Sequence, residues 1–154
     1  MLYWVFDIDN TLYQIDRSMF KYELLSKDSK LKEKINSLPS KKIVFTNATM
    51  FHAYICLQRI EIIKCFNSII HRENINDMKP NPSAFKKMML INNISLQDQC
   101  VFFDDNLQNL IIAKLFGWKT VYINKNIISH KSIDYSFSNI HIALDYFLKI
   151  LKKT

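Results

Sequence analysis

The sequence has few of the features that would tie it to a membrane, a metal cluster or an oxidising compartment. Its three cysteines, Cys56, Cys65 and Cys100, are far apart and show no metal-ligand spacing. We interpret them as buried, reduced and structural, which favours a reducing compartment. No apolar run reaches the ~18 residues of a membrane-spanning helix, and the first residues lack the pattern of a signal peptide. We therefore expect a cytoplasmic protein without a membrane partner.

Glycine is also scarce, because Gly117 is the only one in 154 residues, whereas Asn, Ile and Lys are abundant. This bias resembles that of AT-rich coding sequences more than a physical demand. The length suggests a single domain over residues 1–154, which can bury enough surface to fold without a disulfide or a metal. Hydrophobic residues make up 49% and charged residues 23%, which is typical of a globular protein.

The chain carries a net charge of +7, but its basic residues are scattered along the sequence. They are not interleaved with aromatic residues, as they would be in a platform for single-stranded nucleic acid. Solvated helix faces are the simplest interpretation, and attraction to an anionic ligand is the alternative.

Apolar runs and amphipathic segments alternate along the chain. Strands are predicted at 2–6, 42–45, 68–71, 100–103 and 119–123. Helical spacing predicts helices at 18–37, 50–60, 83–91, 107–116 and 139–151, and the polar segment 124–138 is expected to be a surface loop. This alternation predicts the α/β class, with a parallel sheet covered by helices on both faces.

Polar residues follow three of the predicted strands at the point where each strand ends. They are Asp7 and Asp9, then Thr46 and Asn47, then Asp104 and Asp105. A single Asp-x-Asp pair could be a turn, and two aspartates before a helix could be its cap. However, ligands of open α/β sheets bind outside the carboxyl ends of the strands. Three polar strand ends together therefore favour a functional site.

The residue types at these strand ends favour phosphoryl transfer. Several carboxylates held a few ångströms apart cannot all stay ionised without compensation. A hard divalent cation such as Mg²⁺, which takes oxygen ligands, would compensate them. Lys79 could add a second positive charge, and the Thr46 hydroxyl could donate a hydrogen bond to an oxyanion. Phosphoryl transfer depends mainly on such positioning and charge stabilisation.

Four motifs occur in order over about residues 2–124: FDIDNTLY, VFTN, the lysine of KPNPSAF, and FFDDNLQNL. With these motifs the sequence resembles the haloacid dehalogenase superfamily of phosphohydrolases. The segments DNTLY, FTNATMFHA and FFDDNLQN are more narrowly similar to its pyrimidine 5′-nucleotidase-like branch. The resemblance implies a three-layer α/β/α, Rossmann-like fold around a mainly parallel five-stranded sheet.

The resemblance also implies a role for each strand-end residue. Asp7 would be the nucleophile that forms an aspartyl-phosphate intermediate. Asp9 would be the general acid for the leaving oxygen, and then the general base for water. The implied cofactor is Mg²⁺, held by the side chains of Asp7 and Asp105 and the backbone carbonyl of Asp9, with Asp104 adjacent or bound through water. The implied phosphate ligands are Thr46, Asn47 and Lys79, and Asn109 would orient the fourth motif.

Small-molecule enzymes of that branch carry a helical cap between the first two motifs. Here only residues 10–45 separate Asp9 from Thr46, and a parallel crossover already needs a dozen or more of them. We therefore expect a short flap plus a helix, over residues 12–40, in place of a full cap. We interpret His52 as a helix residue that lies on the surface or has its hydrogen bonds satisfied, and Tyr13 as a residue that packs at the mouth of the site.

Three functions remain open from the sequence. The first is a Mg²⁺-dependent phosphomonoesterase acting on nucleotides or other small phosphates, with the site covered by the flap or by a second subunit. The second is the same chemistry on a phosphoprotein or a nucleic-acid end, for which an open site is an advantage. The third is a phosphate-binding module without turnover, which has no need of both Asp7 and Asp9. The oligomeric state stays open.

Overall fold

The computed structural model describes all residues 1–154, which form one sheet with helices on both faces. The strands are β1 (Leu2–Phe6), β2 (Lys41–Phe45), β3 (Ser68–Ile70), β4 (Gln99–Asp104), β5 (Lys119–Ile123) and β6 (Tyr135–Phe137). Their order is β3-β2-β1-β4-β5-β6, and every neighbouring pair is parallel. The predicted class and parallel sheet are confirmed, but the sheet has six strands where five were expected.

The sixth strand lies in the segment 124–138, which was predicted to be a surface loop. Its register pairs Tyr135 with Val121 and Phe137 with Ile123. The rings of Tyr135 and Phe137 also pack against Phe147, at centroid distances of 5.1 and 6.3 Å. Three residues are too few to show a strand period in the sequence. This strand is therefore defined by its partners in the fold.

The five α-helices begin at polar caps. They are α1 (Ser29–Ser37), α2 (Met50–Ile60), α3 (Pro82–Ile91), α4 (Leu107–Leu115) and α5 (Ile140–Lys152). The side chains that cap their first turns belong to Asp28, Thr49, Asn81, Asn106 and Asn139. Each accepts a hydrogen bond from a backbone N–H that has no partner within its helix. None of the helices is both long and apolar enough to cross a membrane.

The first helix is shorter than the predicted span 18–37. It begins after Asp28, whose side chain accepts from the backbone N–H of Leu31 at 3.0 Å. The preceding residues form only two 3₁₀ turns, Arg17–Met19 and Tyr22–Leu24. Phe20 between them is extended, and its ring packs 5.6 Å from that of His52 in α2. These contacts with a distant helix override the local helical spacing.

Two apolar layers lie on opposite faces of the sheet, because successive strand residues point to opposite sides. Trp4 and Phe6 belong to the layer covered by α1, α2 and α5, and Val5 belongs to the layer covered by α3 and α4. Trp118 lies in the second layer, and both tryptophans are 2% exposed. The three cysteines are buried and free, as expected.

The strand order reverses between β1 and β4, because the chain leaves β1 toward β2 on one side and reaches β4 on the other. Phe6 pairs with Phe103, and the backbone N–H of Asp7 donates to the carbonyl of Phe103 at 3.0 Å. Asp7 and Asp104 therefore lie level at the carboxyl ends of neighbouring strands. Open α/β sheets bind their ligands at this switch point.

Candidate active site

A buried lysine joins the two carboxylates at the switch point. The ammonium of Lys79 lies 3.3 Å from Asp7 Oδ1, 3.0 Å from Asp104 Oδ2 and 2.6 Å from the carbonyl oxygen of Phe45. Its side chain is 1% exposed. Burial works to lower the pKa of Lys79, but the carboxylates of Asp104 and Asp7 outweigh it and raise this pKa. Lys79 is therefore held as a cation beside Asp7.

Asp104 is fully buried, and both of its carboxylate oxygens have partners. Its Oδ1 accepts from the backbone N–H of Asn106 at 2.8 Å, and its Oδ2 accepts from Asn109 Nδ2 and from Lys79, both at 3.0 Å. Asp104 therefore fixes Lys79 and the first turn of α4. The Oδ1 atom of Asn109 is buried without a partner.

Three carboxylates lie close enough to share a cation. Oxygen atoms of Asp7, Asp104 and Asp105 all lie within 4.8 Å of one another. Burial raises the pKa of Asp7 well above its usual range, Lys79 opposes the shift, and the carboxylates of Asp104 and Asp105 add to it. Burial, followed by the charge of Asp104, raises the pKa of Asp105 to about 6. This all-oxygen, repelling set fits a hard divalent cation.

The end of β2 supplies a hydroxyl and an amide, which have different partners. Thr46 Oγ1 accepts from the backbone N–H of Ala48 at 3.0 Å, so its proton is free to be donated. Asn47 instead pairs with the backbone of Lys79: its Oδ1 accepts from the N–H at 2.8 Å, and its Nδ2 donates to the carbonyl at 2.9 Å. The amide of Asn47 therefore positions the segment that carries Lys79.

One cavity of about 90 Å³ collects most of the predicted residues. Its lining includes Asp7, Asp9, Thr46, Asn47, Lys79 and Asp105, together with Arg17, Ala48, Asn106 and Asn109. Asp104 does not line it, and lies behind Lys79 and Asn109. Three strand ends and one loop therefore form a single site, which we name the phosphate cavity after the ligand that the sequence resemblance implies.

The chain bends sharply after Asp9, as expected for a segment whose two carboxylates face one cavity. Asn10 has a φ of 57°, a left-handed conformation that Asn tolerates better than most residues. Its Oδ1 accepts from the backbone N–H of Ile15 at 2.9 Å, and Thr11 and Leu12 both donate to the carbonyl of Ile8. This turn begins the flap, defined here as residues 10–28.

Two aromatic side chains hold Asp9, and neither contact was predicted. His52 Nε2 lies 2.7 Å from Asp9 Oδ1, and the hydroxyl of Tyr13 donates to the same oxygen. The Tyr22 hydroxyl lies 2.8 Å from the other ring nitrogen of His52. Burial, reinforced by Asp9, raises the pKa of Tyr13, so the phenol keeps its proton. Spacing hints at Tyr13, four residues after Asp9, but nothing local points to His52.

A second cluster of potential metal ligands joins Asp9 to α2. Atoms of Asp9, His52 and Cys56 lie within 4.8 Å of one another, with Cys56 Sγ 3.5 Å from His52 Nε2. Burial raises the pKa of the Cys56 thiol to about 11. The thiol is therefore protonated at neutral pH and contributes packing against His52.

Arg17 is a site residue that the sequence did not indicate. It begins the first 3₁₀ turn of the flap and lines the phosphate cavity. Its guanidinium takes part in none of the salt bridges of the protein. It follows no strand and matches none of the four motifs, so only the folded flap reveals it.

The fold is similar to those of several solved hydrolases. A phosphatase from Thermococcus onnurineus is 23% identical with a TM-score of 0.61, and the alignment covers 78% of this chain and 54% of that one. An L-2-haloacid dehalogenase from Xanthobacter autotrophicus is 12% identical with a TM-score of 0.64, over 88% and 68% of the two chains. The chain thus spans about half the length of the Thermococcus phosphatase.

One structure of similar size also matches. The haloacid dehalogenase-like family protein SP0104 from Streptococcus pneumoniae is 11% identical with a TM-score of 0.65, over 94% of this chain and 97% of that one. At these identities the similarity shows the fold. The family model for haloacid dehalogenase-like hydrolases matches residues 15–123, which is more than half of the chain and includes Thr46, Lys79 and Asp105. The chain belongs to the family of haloacid dehalogenase-like hydrolases.

Proposed function

We propose that this hydrolase cleaves phosphate monoesters, with Asp7 as the nucleophile. The observation that carries the proposal is the placement of Asp7 beside a buried cation, in the same cavity as a second carboxylate. Lys79 lies 3.3 Å from Asp7, and Asp9 lines the same cavity with its side chain 34% exposed. A nucleophile, an acid–base group and a fixed cation are the groups that phosphoryl transfer requires.

The proposed reaction has two steps. A carboxylate oxygen of Asp7 forms a bond to phosphorus while the bond from phosphorus to the ester oxygen breaks, and protonated Asp9 gives its proton to the leaving oxygen. Water then attacks the phosphorus of the aspartyl-phosphate, and Asp9 accepts a proton from it. The second step releases inorganic phosphate and restores the Asp7 carboxylate.

Groups already fixed in the fold would stabilise the transferred phosphoryl group. Lys79 offers a cation that Asp104 and Asn47 hold in place, and Thr46 offers a hydroxyl proton. We assign phosphate binding by Asn47 to its backbone N–H, because its amide is paired with Lys79. Donors fixed before the reaction need no reorganisation as charge develops, which is the largest contribution in many enzymes.

We propose Mg²⁺ as the cofactor, held by the side chains of Asp7 and Asp105 and the backbone carbonyl of Asp9. When bound, it would neutralise charge on the carboxylates and on the phosphoryl group. The support comes from the three converging carboxylates and from the raised pKa values of Asp7 and Asp105. Asp104 would act indirectly, by holding Lys79 and Asn109 in place.

The substrate we propose is a nucleotide or another small phosphate monoester, with the flap and α1 in place of a cap domain. Asp9 favours ester hydrolysis over dehalogenation, because a leaving halide needs no proton whereas a leaving alkoxide does. We also propose a cytoplasmic location, which the three free, buried cysteines support.

Replacement of the nucleophile tests the proposal. The wild type should hydrolyse p-nitrophenyl phosphate with Mg²⁺ and lose this activity in EDTA. Asp7→Asn should lower kcat by roughly 10⁴-fold or more, because no other side chain can form the intermediate. Circular dichroism should show an intact fold. Asp145→Asn, which changes an exposed aspartate of α5, is the matched control and should keep full activity.

Near-normal turnover by Asp7→Asn would contradict the assignment of the nucleophile. Absence of turnover in the wild type, with inorganic phosphate still bound, would instead identify a phosphate-binding module.

A further inference from the structure

A second cavity, of about 230 Å³, adjoins the phosphate cavity on the flap side. Its lining includes Asp9, Tyr13, Ile15, Arg17, Phe20 and His52. Asp9 and Arg17 belong to both cavities. The flap cavity, as we name it, therefore begins where the phosphate cavity ends, and the carboxylate of the proposed acid lies at their junction.

Aromatic rings belong to three of the seven residues that line the flap cavity: Tyr13, Phe20 and His52. The rings of Tyr13 and Phe20 lie 5.8 Å apart with an angle of 28° between their planes. The ring of His52 lies 5.6 Å from that of Phe20. Their partners fix two of these rings, because Tyr13 donates to Asp9 and His52 contacts both Asp9 and Tyr22. The wall is thus built before a ligand arrives, and flat rings stack favourably on such surfaces.

The position of Asp9 decides what the flap cavity can hold. In ester hydrolysis the general acid must lie within hydrogen-bond reach of the leaving oxygen. If the phosphoryl group occupies the phosphate cavity beside Asp7, the leaving oxygen lies at Asp9. The rest of the leaving group then extends away from Asp7 and Lys79, into the flap cavity.

Arg17 lies at the same junction with a charge that no carboxylate of the protein neutralises. An unpaired guanidinium beside a phosphate cavity suits phosphate oxygens, which it can contact with two N–H groups at once. The flap thus contributes two kinds of group: a cation for the phosphate and rings for the part of the substrate attached to it.

We propose that the flap cavity binds the leaving group of the substrate, that this leaving group carries a compact aromatic or heteroaromatic ring, and that Arg17 binds the phosphate. The inference rests on the proposed phosphomonoesterase function. Pockets for drug-sized ligands usually measure about 300–1,000 Å³, so a cavity of about 230 Å³ suits a single compact group.

Two esters of matched reactivity test the ring. Benzyl phosphate and cyclohexylmethyl phosphate both release a primary alcohol and differ in the aromaticity of the ring. The wild type should have a higher kcat/KM for the benzyl ester. Phe20→Leu should lower the benzyl value about 5–10-fold and the cyclohexylmethyl value less than about 2-fold, because only the aromatic ring loses a stacking partner. Phe20→Tyr should restore the preference.

A matched control separates this effect from a general change in hydrophobicity. Phe51 lies on α2 with 69% of its surface exposed, and it lines neither cavity. Phe51→Leu should leave both kcat/KM values unchanged.

Replacement of Arg17 should change the kinetics in a different way from replacement of Phe20. Arg17→Gln should lower kcat/KM for both esters by about 10–100-fold and weaken competitive inhibition by inorganic phosphate by a similar factor, because the lost hydrogen bonds are charge-assisted. Arg59→Gln, which changes an exposed arginine of α2, should alter neither value.

The results of these experiments distinguish failure of the inference from failure of the proposed phosphomonoesterase function. Equal hydrolysis of the two esters, or an equal loss for both in Phe20→Leu, would overturn the aromatic leaving group while the phosphomonoesterase stands. Unchanged phosphate inhibition in Arg17→Gln would overturn the role of Arg17. Absence of hydrolysis of any ester by the wild type would overturn both the function and the inference.

Discussion

The two halves of the candidate site are built in different ways. At the strand ends, Lys79 is 1% exposed and touches Asp7, Asp104 and a backbone carbonyl. On the flap, Arg17 is exposed and has no charged partner, and Phe20 lies between two short 3₁₀ turns. The difference suggests a division of labour. For the proposed function, the sheet would fix the groups that react, and the flap would select what reaches them.

Asp7 and Asp9 show the same contrast at a separation of two residues. Asp7 is buried beside an ammonium, whereas Asp9 is partly exposed and held by a histidine and a tyrosine. Two carboxylates in different environments can take different roles, as nucleophile and as acid–base group.

Among the changes that compare the two halves of the site, the largest effect is expected at the buried lysine. Lys79→Met should lower the free energy of unfolding by about 3–5 kcal/mol, because it leaves two buried carboxylates without a counter-ion. It should also lower kcat by about 10²–10³-fold through the lost stabilisation of the phosphoryl group. Urea denaturation in EDTA and steady-state kinetics measure the two effects. Lys86→Met, which changes a residue on the exposed face of α3, is the control. Equal free energies of unfolding for the two variants would show that the buried lysine does not hold the strand-end half together.

The next effect should be at His52, which positions Asp9. His52→Gln should lower kcat about 10–100-fold with little change in KM, because a hydrogen bond to a charged group is lost. The loss should be larger for benzyl phosphate than for p-nitrophenyl phosphate, whose leaving group needs less protonation.

His141→Gln is the matched control for His52, since His141 makes the same kind of 2.7 Å contact with Asp28 outside the site. A loss at His52 that is the same for both leaving groups would point to a structural role instead.

The stabilisation of the strand-end half by a bound cation should depend on pH. The pKa of Asp105 is raised to about 6 from an ordinary value of 3.8, so the metal-free folded state binds more protons than the unfolded state between these values. The contribution of protonated Asp105 to the stability of the fold is therefore present at low pH and is lost as pH rises toward about 6. Mg²⁺ should raise Tm more at pH 7 than at pH 4.5, because only the ionised carboxylates bind it.

Thermal melts with Mg²⁺ or EDTA at the two pH values measure this difference. Asp105→Asn should remove most of the Mg²⁺ effect at pH 7. An equal shift at both pH values would exclude these carboxylates as the binding site.

The smallest expected effect is at the turn that begins the flap. Asn10→Ala should lower the free energy of unfolding by about 1–2 kcal/mol, because alanine is strained at a φ of 57°. Asn10→Gly tolerates this φ and should lose less. Urea denaturation compares the two variants, and a loss as large as that of Lys79→Met would show that the flap is held as firmly as the strand ends.

Much of the strand-end half could be predicted from the sequence. Asp7, Thr46 and Asp105 follow or end apolar runs that form strands, and parallel strands bring their carboxyl ends to one edge. The turn at Asn10 is also local, because it depends on conformational preferences of neighbouring residues. The helix at 18–37 was predicted too long, since helical spacing alone does not reveal that Phe20 and Tyr22 face α2.

The sequence by itself determined the class of the sheet, the positions of the carboxylates at the strand ends and the family. Only the tertiary structure decided that His52 and Tyr13 hold Asp9, and that the side-chain amide of Asn47 binds the backbone of Lys79. It also decided that Arg17 reaches the phosphate cavity and that residues 135–137 form a sixth strand. The reason is physical. Strand-end positions follow from short-range patterns, whereas most of these contacts join residues far apart in the chain. Asp9 and His52, for example, meet only because of how the flap and α2 pack together.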